Sequence, residues 1–388
     1  MIPSVSHYIS VHAPWLLTVM VVWVVLYFLV LRFLNIGVRR IPRSVRLTDA
    51  QCMPISVIVS ARNQERDLPS CISSLLALDY PRELLQIVLV NDRSTDNSGA
   101  IIDAAAAHHA HVIALPSHAS LPSGLGGSAR GIAHGFSAAV GEWMLVIDAS
   151  VVVRPEWVRH LLGYVDAKTG VAAGALLVRA DGWLGAVERM ALAFLQTFNF
   201  GLAGWGAPIV CASSNMAIRR SVYEEAVGLR GQKSRDAEEF AWFEMVKARK
   251  LGVHLYMDSA TTATRAPVQS AQELLSAHRR WVGEGLAHRS AFKVPLPIAL
   301  VWAWGLAMFV LLAWLLDWRV WAAFLVLKTT HDFLMLRLQQ KRMQTPHHVR
   351  YLPVLELYQL VTFAILPFIF LFRQRNERSG DGYAVRNS

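Results

Sequence analysis

Hydrophobic positions along this chain fall into three regimes. Between residues 14 and 34 they are almost continuous, from Pro14 to Leu34, with a single charge at Arg32. A run of that length and purity predicts a helix long enough to cross the hydrocarbon core of a bilayer. From about residue 50 the runs shorten. Ile55–Ser60, Gln86–Val90, His111–Leu115 and Trp143–Ile147 are short, β-branched-rich and predicted as strands. Between them, periodic patterns through Leu68, Ile72, Leu75 and Leu76, and over Ser98–Ala107, predict helices. Strand and helix alternate, and the strands are apolar throughout rather than at every second position. That is the pattern of an α/β domain with a mostly parallel sheet covered on both faces. Three further apolar runs close the chain, at roughly Leu296–Leu316, Val320–Leu338 and Leu352–Phe372.

These regimes predict four parts: an N-terminal membrane anchor with a basic flank (1–49), an α/β domain (50–270), an interfacial amphipathic helix (271–290) and a C-terminal membrane region with a polar tail (291–388). In the interfacial segment Leu274, Leu275, His278, Trp281 and Val282 share one helical face, as a helix lying on a bilayer requires. Within the second C-terminal run Lys328 and Asp332 stand four apart, where a helix would let them pair.

Composition agrees. The 388 residues are 54% hydrophobic with a formal net charge of +10. Much of the excess charge flanks the apolar runs. Arg39, Arg40, Arg43 and Arg46 follow the first run and no Lys or Arg precedes it. The positive-inside rule then places the following domain on the cytoplasmic side of a cell membrane, as in a bacterial inner membrane, with a multi-pass chain whose partner is the lipid bilayer. No nucleic-acid-binding motif accompanies the charge, so nucleic acid is excluded as a partner. A transporter is disfavoured, because the four apolar runs show no inverted repeat. Cys52, Cys71 and Cys211 have no CxxC spacing, and the adjacent pairs His108-His109 and His347-His348 lack a third ligand at useful spacing. Neither a disulfide framework nor a zinc site is indicated.

Polar residues gather where the predicted strands end: Ala61-Arg62-Asn63-Gln64 after the first, Asn91-Asp92-Arg93-Ser94-Thr95-Asp96 after the second, and Asp148 at the end of the fourth. Carboxyl ends of parallel strands are where such sheets bind ligands. No GxGxxG follows the first strand, and Gly124-Leu125-Gly126-Gly127 follows a Pro-Ser turn rather than a strand. A dinucleotide fingerprint and a phosphate-cradling P-loop are therefore both missing.

Six strings in order, ISVIVSARNQERDLPSCISSLLALDYP, QIVLVNDRSTDNS, GIAHGFSAAVGEWMLVIDAS, CASSNMAIRRSVYEEAVGL, DAEEFAWFEMVKARKLGV and HRRWVGEG, resemble the inverting family-2 glycosyltransferases of GT-A fold. The resemblance covers about residues 54–285. It implies a membrane-bound enzyme that moves a sugar from a nucleotide-sugar, by expectation a UDP-sugar, to a lipid or membrane-associated glycan. It implies that Ala61, Arg62 and Asn63 line the nucleotide pocket and that Asp92 holds the base or ribose, whose N–H and hydroxyl groups a carboxylate can accept. Asp96 is expected to cap the next helix instead.

The same resemblance exposes departures. The metal-binding acidic pair reads Asp148-Ala149-Ser150, so Asp148 is left as the metal ligand for Mg²⁺ or Mn²⁺ and the neutral Ser150 weakens that site. The lysine that supports the diphosphate in many relatives aligns with Ser128, with Arg130 two residues on. The general-base pair reads Glu238-Glu239, and Glu239 would take the acceptor proton. The last motif keeps Arg280 and Trp281 but has Ala277 where relatives have Gln. An alternative implication follows from the four departures together: a catalytically impaired pseudoenzyme that binds a partner in a membrane glycan or lipid pathway.

Overall fold

The computed structural model describes residues 14–116, 128–208, 214–228, 245–246, 248–277, 318–345 and 349–362. The chain divides into two compact units. One comprises Met1–Phe33, Ala291–Met335 and His348–Ser388, the other Leu34–Ser290 and Leu336–His347.

The larger unit is built on a seven-stranded sheet. Its parallel half consists of β1 (Ile55–Ala61), β2 (Leu85–Asn91), β3 (Val112–Pro116) and β4 (Trp143–Asp148) in the order β3-β2-β1-β4. The sheet continues through β8 (Asn215–Arg219), β6 (Thr169–Gly174) and β9 (Gly252–Tyr256), with β8 antiparallel to both its neighbours. A second sheet of three short strands has the order β5 (Val151–Val152), β10 (Ala263–Arg265), β7 (Leu176–Val178). The mostly parallel sheet expected from the sequence is present. The reversal at β8 lies beyond what short apolar runs can reveal, since parallel and antiparallel buried strands read alike.

Each predicted strand forms within a residue or two of its expected bounds. Val57, Ile58, Val59, Val88, Leu89 and Val90 are buried on both faces of the sheet, which is why their runs are continuous rather than alternating. The covering helices follow the predicted periodicity. In α2 (Leu68–Leu76) Leu68, Cys71, Ile72 and Leu75 face the core. Helix α3 spans Ser98–His108 and α4 spans Ser128–Ala138. Two glycines let α4 lie directly on the sheet. A Cβ at Gly131 would meet Ser60 Oγ at 2.0 Å, and one at Gly135 would meet Ile58 Cγ2 at 2.3 Å. Helix α5 (Trp157–Leu161) carries the buried Arg159, which donates to the carbonyls of Asp79 (2.7 Å) and Leu47 (3.2 Å) and pairs with Asp49 at 2.6 Å. It thereby fastens the basic segment after residue 40 to the sheet domain.

Helix α6 (Gly182–Ala203) buries one face in the sheet unit. Its C-terminal part meets the end of α1 (Pro14–Arg40) at backbone distance: a Cβ at Gly37 would lie 1.9 Å from the Gly201 carbonyl oxygen, and one at Gly204 1.9 Å from that of Gly37. Arg40 stacks 4.0 Å from the Trp205 ring centroid. Helices α7 (Arg220–Gly228), α8 (271–277), α9 (Trp318–Met343) and α10 (352–362) complete the described elements. From α9, Arg342 donates to the Val38 and Ile41 carbonyls at the end of α1, and Gln339 donates to the Ala193 carbonyl at 2.9 Å.

The smaller unit contains the described residues of α1 up to Phe33, of α9 up to Met335, and α10. Here Lys328 donates to Asp332 at 2.7 Å, to Gln359 at 2.8 Å and to Glu356. The expected Lys328–Asp332 pair therefore forms, within a larger buried cluster. The window Val21–Arg40 of α1, with mean hydropathy 2.2, is long and apolar enough to cross a membrane. The predicted segment 296–316 and the second half of 352–372 lie outside the described residues.

Candidate active site at the strand ends

β1 is the strand at which the order reverses, with β2 on one side and β4 on the other. The crevice at such a switch point is where open α/β sheets bind ligands. The register aligns the strand ends: Ala61 opposite Asn91, and Ser60 opposite Asp148. Asp92 is therefore one residue past β2, and Asp148 closes β4, across the end of β1.

Asp92 has a side chain only 1% exposed, and its Oδ1 lies 3.4 Å from Arg93 Nε. Its amide donates to the Ala61 carbonyl at 2.8 Å, which fixes the β2 loop to the end of β1. The two loops are stitched together further. Asn63 has a left-handed backbone (φ 53°) and its Oδ1 accepts from the Thr95 amide at 2.8 Å. Ser98 Oγ accepts from the Gln64 amide at 2.8 Å, and Asp96 Oδ2 from the Glu65 amide at 3.0 Å. Asp96 also takes the Ser98 amide at 3.0 Å at the start of α3, although the N-cap position itself is Asn97, one residue on. Desolvation opposes its ionisation, yet bonds from Ser98 and from the Glu65 and Ser98 amides hold its carboxyl below the ordinary value.

Of the three residues expected to line the pocket after β1, Ala61 is buried and presents its carbonyl to the β2 loop, Arg62 is exposed, and Asn63 uses its amide to hold that loop in place. Gly131 in the first turn of α4 approaches the same corner, since a Cβ there would lie 3.6 Å from Asp92 Cβ. Arg130, adjacent to it on that turn, is half-buried.

The β4 corner is different. Asp148 is exposed, Ala149 is buried and Ser150 is half-buried. Burial pushes the Cys71 thiol behind this corner up to about 12, and the Asp148 charge adds to the shift. Past Ser150 the chain enters β5, whose Val151 pairs with Arg265 of β10. The Ala266 amide donates to the Ser150 carbonyl at 3.4 Å. Arg265 is held by Glu188 of α6, a fully buried carboxylate that also accepts the Val268 amide at 2.8 Å. Glu188 thus ties α6 to the strand beside the Asp148 corner. Sequence reasoning missed it, because one acid within an apolar helix has no local signature and its partner is 77 residues away.

The Asn215 side chain, at the start of β8 in one of the six strings that carry the resemblance, is occupied inside the core. It accepts from Trp157 Nε1 at 2.9 Å and donates to the carbonyls of Ala175 (2.8 Å) and Thr261 (2.9 Å). Ala277 is buried at the end of α8. Glu238, Glu239, Arg280 and Trp281 lie outside the described residues. Among the described residues no three His, Cys, Asp or Glu converge as a metal site would require.

Residues 56–227, which include β1, both strand-end corners and α6, match the family described as glycosyl transferase family 2. This segment is a family-2 glycosyltransferase domain. Its fold is GT-A: the mannosyltransferase PcManGT of Pyrobaculum calidifontis, solved with GDP-Man and Mn²⁺, superposes with a TM-score of 0.59 over 88% of this chain and 98% of its own, at 15% identity. In sequence, the chain is 26% identical over 227 residues to the probable glycosyltransferase YdaM of Bacillus subtilis, covering 55% of this chain and 51% of that protein. It is 31% identical over 114 residues to an undecaprenyl-phosphate 4-deoxy-4-formamido-L-arabinose transferase of Shewanella sediminis, covering 29% and 33%. The chain therefore spans about half the length of the first of these relatives and a third of the second.

Proposed function

We propose that the glycosyltransferase domain transfers a sugar from a nucleotide-sugar, a UDP-sugar by the sequence expectation, to a lipid or membrane-associated glycan by inverting displacement. The observation that carries this is the pair of corners flanking β1. Asp92 offers a buried carboxylate, fixed by the β1 and β2 loops, for the nucleoside. Asp148 offers an exposed carboxylate across the same strand end for the diphosphate side. The acceptor oxygen bonds to the anomeric carbon as the bond to the diphosphate breaks, and the hydroxyl proton passes to Glu239 in the role its motif implies. Arg130 and Arg280 would stabilise the departing diphosphate.

One carboxylate, diphosphate oxygens and water can hold Mg²⁺ or Mn²⁺, so Asp148 fits a cation bound chiefly through the donor, where it would offset the diphosphate charge. Ser150 contributes no charge to such a site.

The acceptor class is supported by the helical unit, where Val21, Val326 and Leu357 are exposed while Lys328 and Asp332 are buried, and by the lipid phosphate named for the Shewanella relative. We assign the chain to a cell membrane, multi-pass, with the glycosyltransferase domain on the cytoplasmic side, on the strength of α1 and the arginines after it. The test is transfer of labelled sugar from UDP- and GDP-sugars into the lipid fraction of membranes containing the full chain. Label that appears with the wild type and is lost in Asp148→Asn supports the reading. Donor binding without transfer under any condition would favour the pseudoenzyme.

A further inference from the structure

Three arginines lie about the β7–β10 edge that borders the Asp148 corner, and two of them are neutralised. Arg265 is paired with Glu188, and Arg179 with Asp181. The third, Arg189 of α6, is half-buried and makes no ion pair or hydrogen bond among the described residues. Burial pushes its guanidinium below the ordinary value, and no carboxylate among the described residues offsets that. A half-buried cation without a counterion is costly in a folded domain, and it persists where a ligand supplies the missing charge.

The face of α6 that bears Arg189 can be located from its helical neighbours. Gly185, one turn earlier, abuts the next segments, since a Cβ there would lie 2.9 Å from the Arg179 carbonyl oxygen and 3.1 Å from Pro267 Cβ. Gln196, two turns later, clamps Leu176 at the start of β7, donating at 2.7 Å and accepting at 3.0 Å. Residues at i−4 and i+7 share the face of residue i. Arg189 therefore stands over the far end of β7, between Leu176 and the Arg179–Pro267 contact. Val178 there pairs with Arg265, which pairs with Val151, and Ser150 precedes it. The helix turn carrying this cation thus packs over β7, two strands from β5, the strand that leads out of the corner at which the resemblance puts a serine in place of a second acid. The phosphate-supporting lysine of related sequences is likewise replaced, by Ser128.

We propose that Arg189 is a phosphate-binding residue of this site, supplying from α6 the positive charge that the motif positions lack. The ligand chemistry is a phosphate ester or diphosphate borne by a substrate, either the donor's diphosphate or an acceptor's phosphate. The proposal rests on the donor-site reading above and deepens it.

The test uses the full chain in detergent as wild type, Arg189→Gln and Arg189→Lys. UDP, GDP, uridine and guanosine are titrated by calorimetry, and transfer is measured against undecaprenyl phosphate in mixed micelles. Loss of one charged hydrogen-bonding group weakens binding by about ten- to a hundredfold. If the donor diphosphate is the ligand, Arg189→Gln weakens the nucleoside diphosphates by that factor and leaves the nucleosides unchanged. If the acceptor phosphate is the ligand, diphosphate affinity holds and KM for undecaprenyl phosphate rises by that factor at unchanged kcat. Arg189→Lys recovers part of either loss. The melting temperature of Arg189→Gln holds or rises, because a charge without a counterion has been removed. A structural role would lower it instead. Unchanged values in both arms, or an equal loss for nucleosides and their diphosphates, would overturn the assignment of Arg189. A wild type that binds no nucleotide would defeat the donor-site reading itself, and does so before any variant is compared.

Discussion

The two units of this chain solve opposite solvation problems. In the sheet unit Val57, Ile58, Val88 and Leu89 are buried, while Arg62, Arg93 and Asp148 face outward. In the helical unit the order is inverted. Val21 is 56% exposed, Val326 66% and Leu357 64%, while Lys328 and Asp332 are 5% and 0% exposed. Apolar outer faces are stable where the surroundings are hydrocarbon, and ionisable groups there turn inward to find partners. The comparison teaches that the outer faces of the helical unit suit the membrane placement proposed above, and that the strand-end corner is built to face water. It also separates two kinds of buried charge. Lys328 donates to three acceptors of its own cluster, whereas Asp92 stands one residue past β2, in the loop fixed to the end of β1.

The contrast breaks most visibly at Lys328. Replacing it with Met leaves Asp332 and Glu356 buried without their cation, at a cost of about 3–5 kcal/mol. Thermal unfolding in detergent should show a large loss for Lys328→Met. The triple variant with Asp332→Leu and Glu356→Leu should recover most of it, since apolar replacement of a whole buried cluster is tolerated.

A smaller effect is expected at the crossing of α1 and α6. Gly201→Val places methyl groups against Leu34, whose backbone is already 2.9 Å from an added Cβ. Overpacking of this kind costs about 1–3 kcal/mol. It should lower the melting temperature while nucleotide affinity stays constant, because the strand-end loops are not involved.

The smallest effect concerns Asp96. Its carboxyl is held below the unfolded value of about 3.9, so its contribution is complete above that pH and is lost as the pH falls through the folded value. Asp96→Asn should remove that acid-range dependence, seen as faster exchange of the Glu65 and Ser98 amides at neutral pH and little change once the pH is below the folded value. Unaltered exchange in the variant would mean that the loops are held by Asn63 and Ser98 alone.

Much of this comparison was legible in the sequence, for a physical reason. Strand cores buried on both faces leave continuous apolar runs, and the residues that end those runs form the candidate site. Ile55–Ala61 and Trp143–Asp148 were readable in this way, and so was the i, i+4 pair Lys328–Asp332. What escaped depends on pairing at long sequence distance. Glu356 and Gln359 meet Lys328 from another helix, and Glu188 meets Arg265 across 77 residues. Nor could residue type tell that Asn63 stitches two loops rather than simply facing the pocket, or that Asn215 is consumed by Trp157, Ala175 and Thr261.

Asp92 tests the central claim most directly. The measurement is a calorimetric titration of the detergent-solubilised full chain with UDP, GDP and their sugars, with and without Mn²⁺ or Mg²⁺, beside Asp92→Ala and Asp92→Asn checked for folding by melting temperature. The account predicts saturable nucleotide binding by the wild type, lost or weakened at least about tenfold in both folded variants. Absence of nucleotide binding by folded wild type, or binding indifferent to both substitutions, would contradict it.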